Sequence, residues 1–187
     1  CIPLIVASIL SKKLAEGIDG LVLDVKVGGG AFMKDLRSAR ALARALVRVG
    51  TRAGKRVTAL LTSMEAPIGR SIGNALETAE AIEVLRDGGP ADTRELTLAL
   101  GVEMLLVSGR FTDARSARRV LERALASGES FERFRRMVEA HGGDVRVVDD
   151  PSRLPRAKVR QPVVATTGGV VTSIDSHELG LAAIVLW

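Results

Sequence analysis

The chain has 187 residues, 47% of them hydrophobic and 26% charged, which is typical of a globular core with room for one small additional unit. The sequence has no run of about 18 uncharged apolar residues, so it contains no candidate membrane-spanning helix. Its single cysteine, Cys1, excludes an internal disulfide and is typical of proteins in a reducing compartment. We therefore expect a cytoplasmic protein without a membrane partner.

The net charge of +5 is the kind of excess that nucleic-acid-binding proteins carry. Aromatic residues, however, make up only 3% of the chain and tyrosine is absent, whereas proteins that bind single strands need exposed aromatic side chains for stacking. The arginines concentrate in residues 110–136, where acidic residues alternate with them. This pattern favours a solvated helix surface with ion pairs, and we expect no nucleic-acid partner.

The first part of the sequence predicts a helix, a strand, a second helix and a second strand. The apolar spacing of residues 3–16 is helical, and the buried strand 21–27 runs into the glycine turn Gly28–Gly30. An amphipathic helix over 35–53 and a short strand over 56–63 follow. A strand, a helix and a strand within about forty residues form a βαβ unit. We therefore predict an α/β protein with a mixed or largely parallel sheet flanked by helices.

The rest of the sequence predicts further helices and then a segment of different composition. One helix is expected to end at Gly88, and helical spacing continues over 92–108 and 113–140. After residue 144 come three prolines and several valine runs around Gly168 and Gly169, a pattern typical of β-hairpins. We therefore predict a small α+β unit over residues 144–187.

The glycine turn after the first strand is the site signal that the residues provide by themselves. Ligands of open α/β sheets bind beyond the carboxyl ends of the strands, where glycine lets the backbone come close. The turn lacks the spacing of a dinucleotide or phosphate loop, and a tight turn without a ligand remains an equal alternative. Asp24 and Lys26 share a strand face, and they form either a satisfied ion pair or part of a site. His141 and His177 lack neighbouring Cys or Glu clusters and are not predicted to bind metal.

Three longer stretches carry a family resemblance. The run SILSKKLAEG over residues 8–17, followed by LVLDVKVGGGAFMK, resembles the central signature of the thymidine and pyrimidine-nucleoside phosphorylases. The run LLTSMEAPIGRSIGNALETAEAIEVL is similar to the second conserved stretch of that family. The tail VVATTGGVVTSIDSHELGLAAIVLW is similar to the start of its C-terminal domain. The three stretches occur in order and cover most of the chain.

The resemblance implies that the chain is the C-terminal part of a two-domain, homodimeric enzyme. Residues 1–16 would be the remnant of its helical domain, 17–140 its central α/β domain, and 144–187 the truncated start of its C-terminal α+β domain. The implied reaction joins inorganic phosphate with a thymidine- or uridine-type nucleoside to give free base and (2-deoxy)ribose 1-phosphate. No cofactor is implied. Because the family's phosphate-site residues lie upstream of these motifs, no catalytic residue is assignable here, and the chain alone is expected to be inactive.

The resemblance also implies two residues that bind the pyrimidine, Ser8 and Lys12. Side chains at positions i and i+4 share one face of a helix. A hydroxyl group both donates and accepts hydrogen bonds, which suits an N3–H beside a carbonyl group. An ammonium near the O2 atom of the base would stabilise the negative charge that develops as the base departs. The alternative is a pair of solvated residues on a helix surface.

Some bacterial members of the family bind a monovalent cation such as K⁺ through two main-chain carbonyl groups and one glutamate. The resemblance carries these positions onto Ile68, Ser71 and Glu80. Carbonyl and carboxylate oxygens are suitable ligands for a hard cation. A solvated helix residue is the alternative for Glu80.

Three other hypotheses fit parts of the pattern. A phosphoribosyltransferase of the anthranilate type would require an acidic pair near the strand end, where this chain has the sequence DVK. A basic RNA-binding module would require the exposed aromatic residues that the composition lacks. A catalytically inactive relative with the same fold stays open, as does the choice between thymidine and uridine.

Overall fold

The first part of the chain forms the βαβ unit that the sequence predicts. The computed structural model describes residues 1–186. Its two strands pair in parallel, with Gly20 opposite Arg56 and Val27 opposite Ser63. The predicted parallel α/β arrangement is confirmed. The elements are α1 (Ile2–Ala15), β1 (Gly20–Val27), α2 (Leu36–Arg52) and β2 (Arg56–Ser63).

Helix α2 supplies the centre of the core. Its N-cap residue, Asp35, accepts a hydrogen bond from the Ser38 amide, which satisfies one of the unpaired donors of the first turn. Three residues of the apolar stripe that the sequence predicts, Ala39, Leu42 and Leu46, are buried, whereas Leu36 and Val49, near the ends of the helix, are exposed. Val6 and Leu10 of α1 belong to the same buried cluster, so α2 lies in contact with both α1 and the sheet. Burying a leucine completely stabilises a fold by about 1.5–3 kcal/mol.

The remaining elements are helical. Helix α4 packs against both strands and against α5, which in turn contacts α6. The single helix predicted over 113–140 is in fact two helices, because Gly128 adopts a left-handed conformation with a φ of 77° and interrupts the helical backbone. None of the helices in residues 1–186 has the length and apolar character needed to cross a bilayer. They are α3 (Asn74–Leu85), α4 (Ala91–Val107), α5 (Ala114–Ala126), α6 (Glu129–Ala140), α7 (Arg146–Asp149) and α8 (Ser176–Val185).

The end of the chain differs from the β-hairpin that its composition predicts. A 3₁₀ turn over Pro151–Arg153 follows α7, residues 154–175 form neither helix nor strand, and α8 follows them. Val163 is 98% exposed, so the valine runs are not packed. A strand is stable only when its backbone groups pair with another strand, and within residues 1–186 none lies beside this segment. The proposed domain boundaries stay predictions, and Trp187 lies outside the described residues.

Candidate functional site

Two loops meet at the carboxyl edge of the sheet. The glycine turn Gly28–Gly30 follows β1, and residues 64–73 follow β2. The Met64 amide donates to the Val27 carbonyl at 2.7 Å, and the Gly30 amide donates to the Met64 carbonyl at 2.9 Å. These bonds extend the pairing of the strands into the loops. They fix the two loops together at the edge where ligands of open α/β sheets bind.

The glycines of the turn have a packing explanation. Gly28 has a φ of 130°, and a Cβ atom there would lie 2.8 Å from the carboxyl carbon of Glu65. A Cβ atom on Gly30 would lie 2.7 Å from the Cβ atom of Ser176. The Gly29 amide donates to Glu65 Oε2 at 3.0 Å. The glycines therefore let Glu65 and Ser176 approach the backbone, which supports the alternative that the turn needs no ligand of its own.

Asp24 and Lys26 form the satisfied ion pair that the sequence left as one of two alternatives. Lys26 Nζ lies 2.8 Å from Asp24 Oδ2, and the two side chains are 31% and 23% exposed, respectively. The Thr62 hydroxyl on β2 donates to the other carboxylate oxygen. The pair thus has the partners that charged groups on a half-buried strand require.

Ser8 and Lys12 share one exposed face of α1, opposite the buried Val6 and Leu10. The neighbouring Lys13 forms an ion pair with Glu16 at 3.1 Å. In residues 1–186, the ammonium group of Lys12 takes part in no ion pair. The geometry brings the predicted pair of residues together on a face that a ligand can reach, and their binding role stays a prediction.

Glu80 is buried rather than solvated. It lies on α3, is 9% exposed, and its Oε2 atom accepts a hydrogen bond from the Arg70 amide at 2.9 Å. Gly69 has a φ of 71°, and a Cβ atom there would lie 1.9 Å from Glu80 Oε1. The helix carboxylate therefore holds the loop that follows β2. The solvated alternative for Glu80 does not describe this side chain.

The predicted cation ligands lie around the same loop. Ile68 and Ser71 flank Gly69 and Arg70, and within the described part of the chain neither of their carbonyl oxygens accepts a hydrogen bond. Carbonyl and carboxylate oxygens suit a hard cation, so the oxygen set fits K⁺. No cluster of three or more His, Cys, Asp or Glu side chains that could hold a metal occurs in residues 1–186. The cation site stays a prediction.

Asp92 and Thr93 complete this loop region and were not found by sequence reasoning. Asp92 Oδ2 accepts from the Gly69 amide at 3.0 Å, and this hydrogen bond is the main reason why the pKa of Asp92 is lowered. The Thr93 hydroxyl is buried without a hydrogen-bond partner among the described residues, and it would lie 2.9 Å from a Cβ atom on Gly69. An aspartate in the first turn of α4 was the only available signal.

Phe32 was also missed. Its side chain follows the glycine turn and is 81% exposed, whereas its neighbours Ala31 and Met33 are buried. An exposed aromatic ring at the carboxyl edge of a sheet is a surface on which a planar ligand can stack. The sequence analysis considered only the low aromatic content of the whole chain, and it therefore did not identify this one exposed ring as a possible ligand contact.

These features define an α/β protein with a candidate ligand site at the carboxyl edge of a parallel sheet. The sequence profile of the glycosyl transferase family, a/b domain, matches residues 2–131, and the chain belongs to this family.

Relatives support the resemblance seen in the motifs. The chain is 45% identical over 185 residues to a pyrimidine-nucleoside phosphorylase of Staphylococcus haemolyticus (strain JCSC1435). It is 46% identical to a protein of the same name from Geobacillus stearothermophilus and 45% identical to one from Staphylococcus aureus (strain USA300). Each alignment covers 99% of this chain and 43% of the relative. The chain thus spans less than half the length of these relatives.

Proposed function

We propose that the full-length protein is a pyrimidine-nucleoside phosphorylase, a pentosyltransferase that cleaves thymidine- or uridine-type nucleosides with inorganic phosphate. The observation that carries the proposal is the identity of 45–46% to proteins of that name along 99% of the chain. The exposed face of α1 with Ser8 and Lys12 supports it, because a hydroxyl and an ammonium group can there meet one base edge.

In the proposed reaction, a phosphate oxygen forms a bond to the anomeric carbon as the bond from that carbon to the base nitrogen breaks. The electron pair of the broken bond leaves with the pyrimidine and develops negative charge on its carbonyl oxygens. Lys12 stabilises this charge, and Ser8 orients the base through its hydroxyl group. The departing base takes up the proton that the hydrogen phosphate loses on forming the new C–O bond, and the sugar keeps the phosphate as (2-deoxy)ribose 1-phosphate. A preorganised donor of this kind contributes about 10²–10³ in rate.

The proposal includes the setting in which the enzyme works. We infer a homodimer in the cytoplasm that acts in nucleoside salvage, needs no organic cofactor and has neither a nucleic-acid nor a membrane partner. A bound K⁺ ion at Ile68, Ser71 and Glu80 is part of the proposal. It would neutralise the buried Glu80 carboxylate and brace the loop after β2.

Two adjacent lysines provide a matched test of the base-binding role. Lys12→Met in the full-length protein is expected to lower kcat/KM for phosphorolysis by about 10²–10³, because it removes the charge that faces the departing base. Lys13→Met is the control, since Lys13 lies one residue further along α1 and pairs with Glu16. Steady-state base release with thymidine and uridine measures both variants.

The comparison between the two variants decides the assignment. The control is expected to keep its activity within about twofold of the parent, because a surface ion pair contributes little. Equal losses in the two variants, or activity of Lys12→Met within twofold of the parent, would contradict the role given to Lys12.

A further inference from the structure

Glu65 joins three segments that are far apart in the sequence. Its carboxylate accepts a hydrogen bond from the Gly29 amide at 3.0 Å. Its own amide donates to the Ser63 hydroxyl at the end of β2, at 3.3 Å. Its carbonyl oxygen accepts from the Ser176 hydroxyl at the start of α8, at 3.2 Å. One exposed residue thus connects the turn after β1, the end of β2 and the last helix.

The contacts around Glu65 are close as well as numerous. A Cβ atom on Gly28 would lie 2.8 Å from the Glu65 carboxyl group and 2.9 Å from its amide nitrogen. A Cβ atom on Gly30 would meet Ser176 at 2.7 Å. The backbone of the turn is therefore held between Glu65 and the first residue of α8. Side chains are excluded from two of its three positions.

We propose that Glu65 is a positioning residue of the candidate site, which fixes the glycine turn through the Gly29 amide and couples that turn to the start of α8 through Ser176. The inference rests on the proposed function, because the turn lies at the carboxyl edge of the sheet where the nucleoside would bind. Glu65 acts on the reaction by holding this edge in place. A displacement of about 1 Å in a substrate-positioning segment can lower a rate by as much as about 10²-fold.

The charge of Glu65 has a separate consequence that helps to test the proposal. A carboxylate at this edge repels an incoming phosphate dianion, whereas an amide side chain does not. Glu65→Gln keeps an oxygen that can accept from the Gly29 amide and loses the charge. Glu65→Ala loses both. The two variants therefore separate position from charge.

The experiment compares these variants in the full-length protein with a matched control. Glu77→Ala is the control, because Glu77 is also an exposed carboxylate that accepts from a glycine amide, that of Gly73, at 2.9 Å. Glu65→Ala is expected to lower kcat/KM for the nucleoside by about tenfold. Glu65→Gln is expected to keep kcat/KM for the nucleoside within about twofold of the parent and to have a lower KM for phosphate. Glu77→Ala is expected to keep the parent kcat/KM.

Hydrogen exchange gives a second readout that does not depend on turnover. The amides of residues 29–33 are expected to exchange faster in Glu65→Ala and in Ser176→Ala than in the parent, and to stay unchanged in Glu77→Ala. The inference would be overturned if Glu77→Ala or Glu65→Gln lost as much kcat/KM as Glu65→Ala does. Unchanged amide exchange over residues 29–33 in Glu65→Ala would overturn it as well. A parent protein without phosphorolysis but with the predicted exchange pattern would instead refute the proposed function and retain the positioning contact.

Discussion

Substitution of Gly69, in the loop after β2, has two separable costs: the backbone strain of a positive φ and the close contact with Glu80. Gly69 has a φ of 71°, and the Cβ atom of an alanine would lie 1.9 Å from Glu80 Oε1. Gly17 has nearly the same backbone angle, with a φ of 72°, but no atom lies within 4 Å of the Cβ position there. Gly17→Ala therefore reports the backbone strain alone, and Gly69→Ala reports the strain together with the displacement of Glu80.

The two costs can be estimated from the contacts. Holding a residue with a Cβ atom in the left-handed region costs about 1–2 kcal/mol, which is the whole expected loss for Gly17→Ala. In Gly69→Ala the Glu80 carboxylate must also move away from the Arg70 amide, to which it bonds at 2.9 Å. Leaving the buried Glu80 carboxylate without this partner costs about 1–3 kcal/mol more. We therefore expect Gly69→Ala to lower the free energy of unfolding by about 2–5 kcal/mol.

Urea unfolding followed by circular dichroism measures both variants against the parent, provided that the transition is two-state. A third variant, Glu80→Ala, removes the nearer of the two side-chain groups that the new methyl would meet, the other being the Thr93 hydroxyl at 2.9 Å. In that background Gly69→Ala is expected to cost less than it does in the parent, as a double-mutant cycle would show. Equal destabilisation by Gly17→Ala and Gly69→Ala in the parent would refute the contact between Gly69 and Glu80.

Two further predictions concern carboxylates of the same loop. Glu80→Gln is expected to abolish any rise of Tm with potassium concentration that the parent shows, because a bound ion stabilises the fold by mass action; the exposed Glu77→Gln should respond as the parent does, and identical responses in all three proteins would argue against the cation site. The pKa of Asp92 is lowered from its ordinary value of 3.8, mainly by the hydrogen bond from the Gly69 amide. The ionised Asp92 side chain therefore contributes fully to stability above about pH 4, and this contribution is lost as the pH falls through the lower pKa of the folded state. Asp92→Asn is therefore expected to lose stability less steeply on acidification, and parallel urea midpoints for parent and variant between about pH 5 and pH 2 would contradict this.

The sequence predicted the βαβ unit because its signals are local. The apolar stripe of α2 follows the helical period, and its central residues Ala39, Leu42 and Leu46 are buried as expected, although Leu36 and Val49 are exposed. Each of the two strands is a short apolar run, and the second carries β-branched residues. Such patterns can be read from the sequence because the apolar side chains that define them are the ones that form the core.

Other features depend on contacts that no local pattern shows. Asp92 and Gly69 are 23 residues apart, and Ser176 and Glu65 are 111 residues apart, so these hydrogen bonds could not be predicted from spacing. The break at Gly128 was missed because one glycine inside a helix costs only about 1 kcal/mol and is often tolerated. The valine runs after residue 154 favour strands, but a strand forms only with a partner.

The ion pair of Asp24 and Lys26 was predicted only in part from the sequence. The sequence placed the two residues on one strand face and left open whether they pair or serve a ligand. Only the three-dimensional structure adds the Thr62 hydroxyl from the neighbouring strand. The sequence could therefore predict which charged side chains share a face of the strand, but it could not predict which hydrogen-bond donors from other strands they contact.

The central claim is that the protein transfers a pentose from a pyrimidine to phosphate, and product analysis of the full-length protein tests it most directly. With thymidine or uridine and inorganic phosphate, we expect equal amounts of free base and pentose 1-phosphate, quantified by chromatography and phosphorus NMR. Without phosphate we expect neither product. Base release that proceeds equally well without phosphate, or a folded protein that releases no base at all when phosphate is present, would contradict the claim.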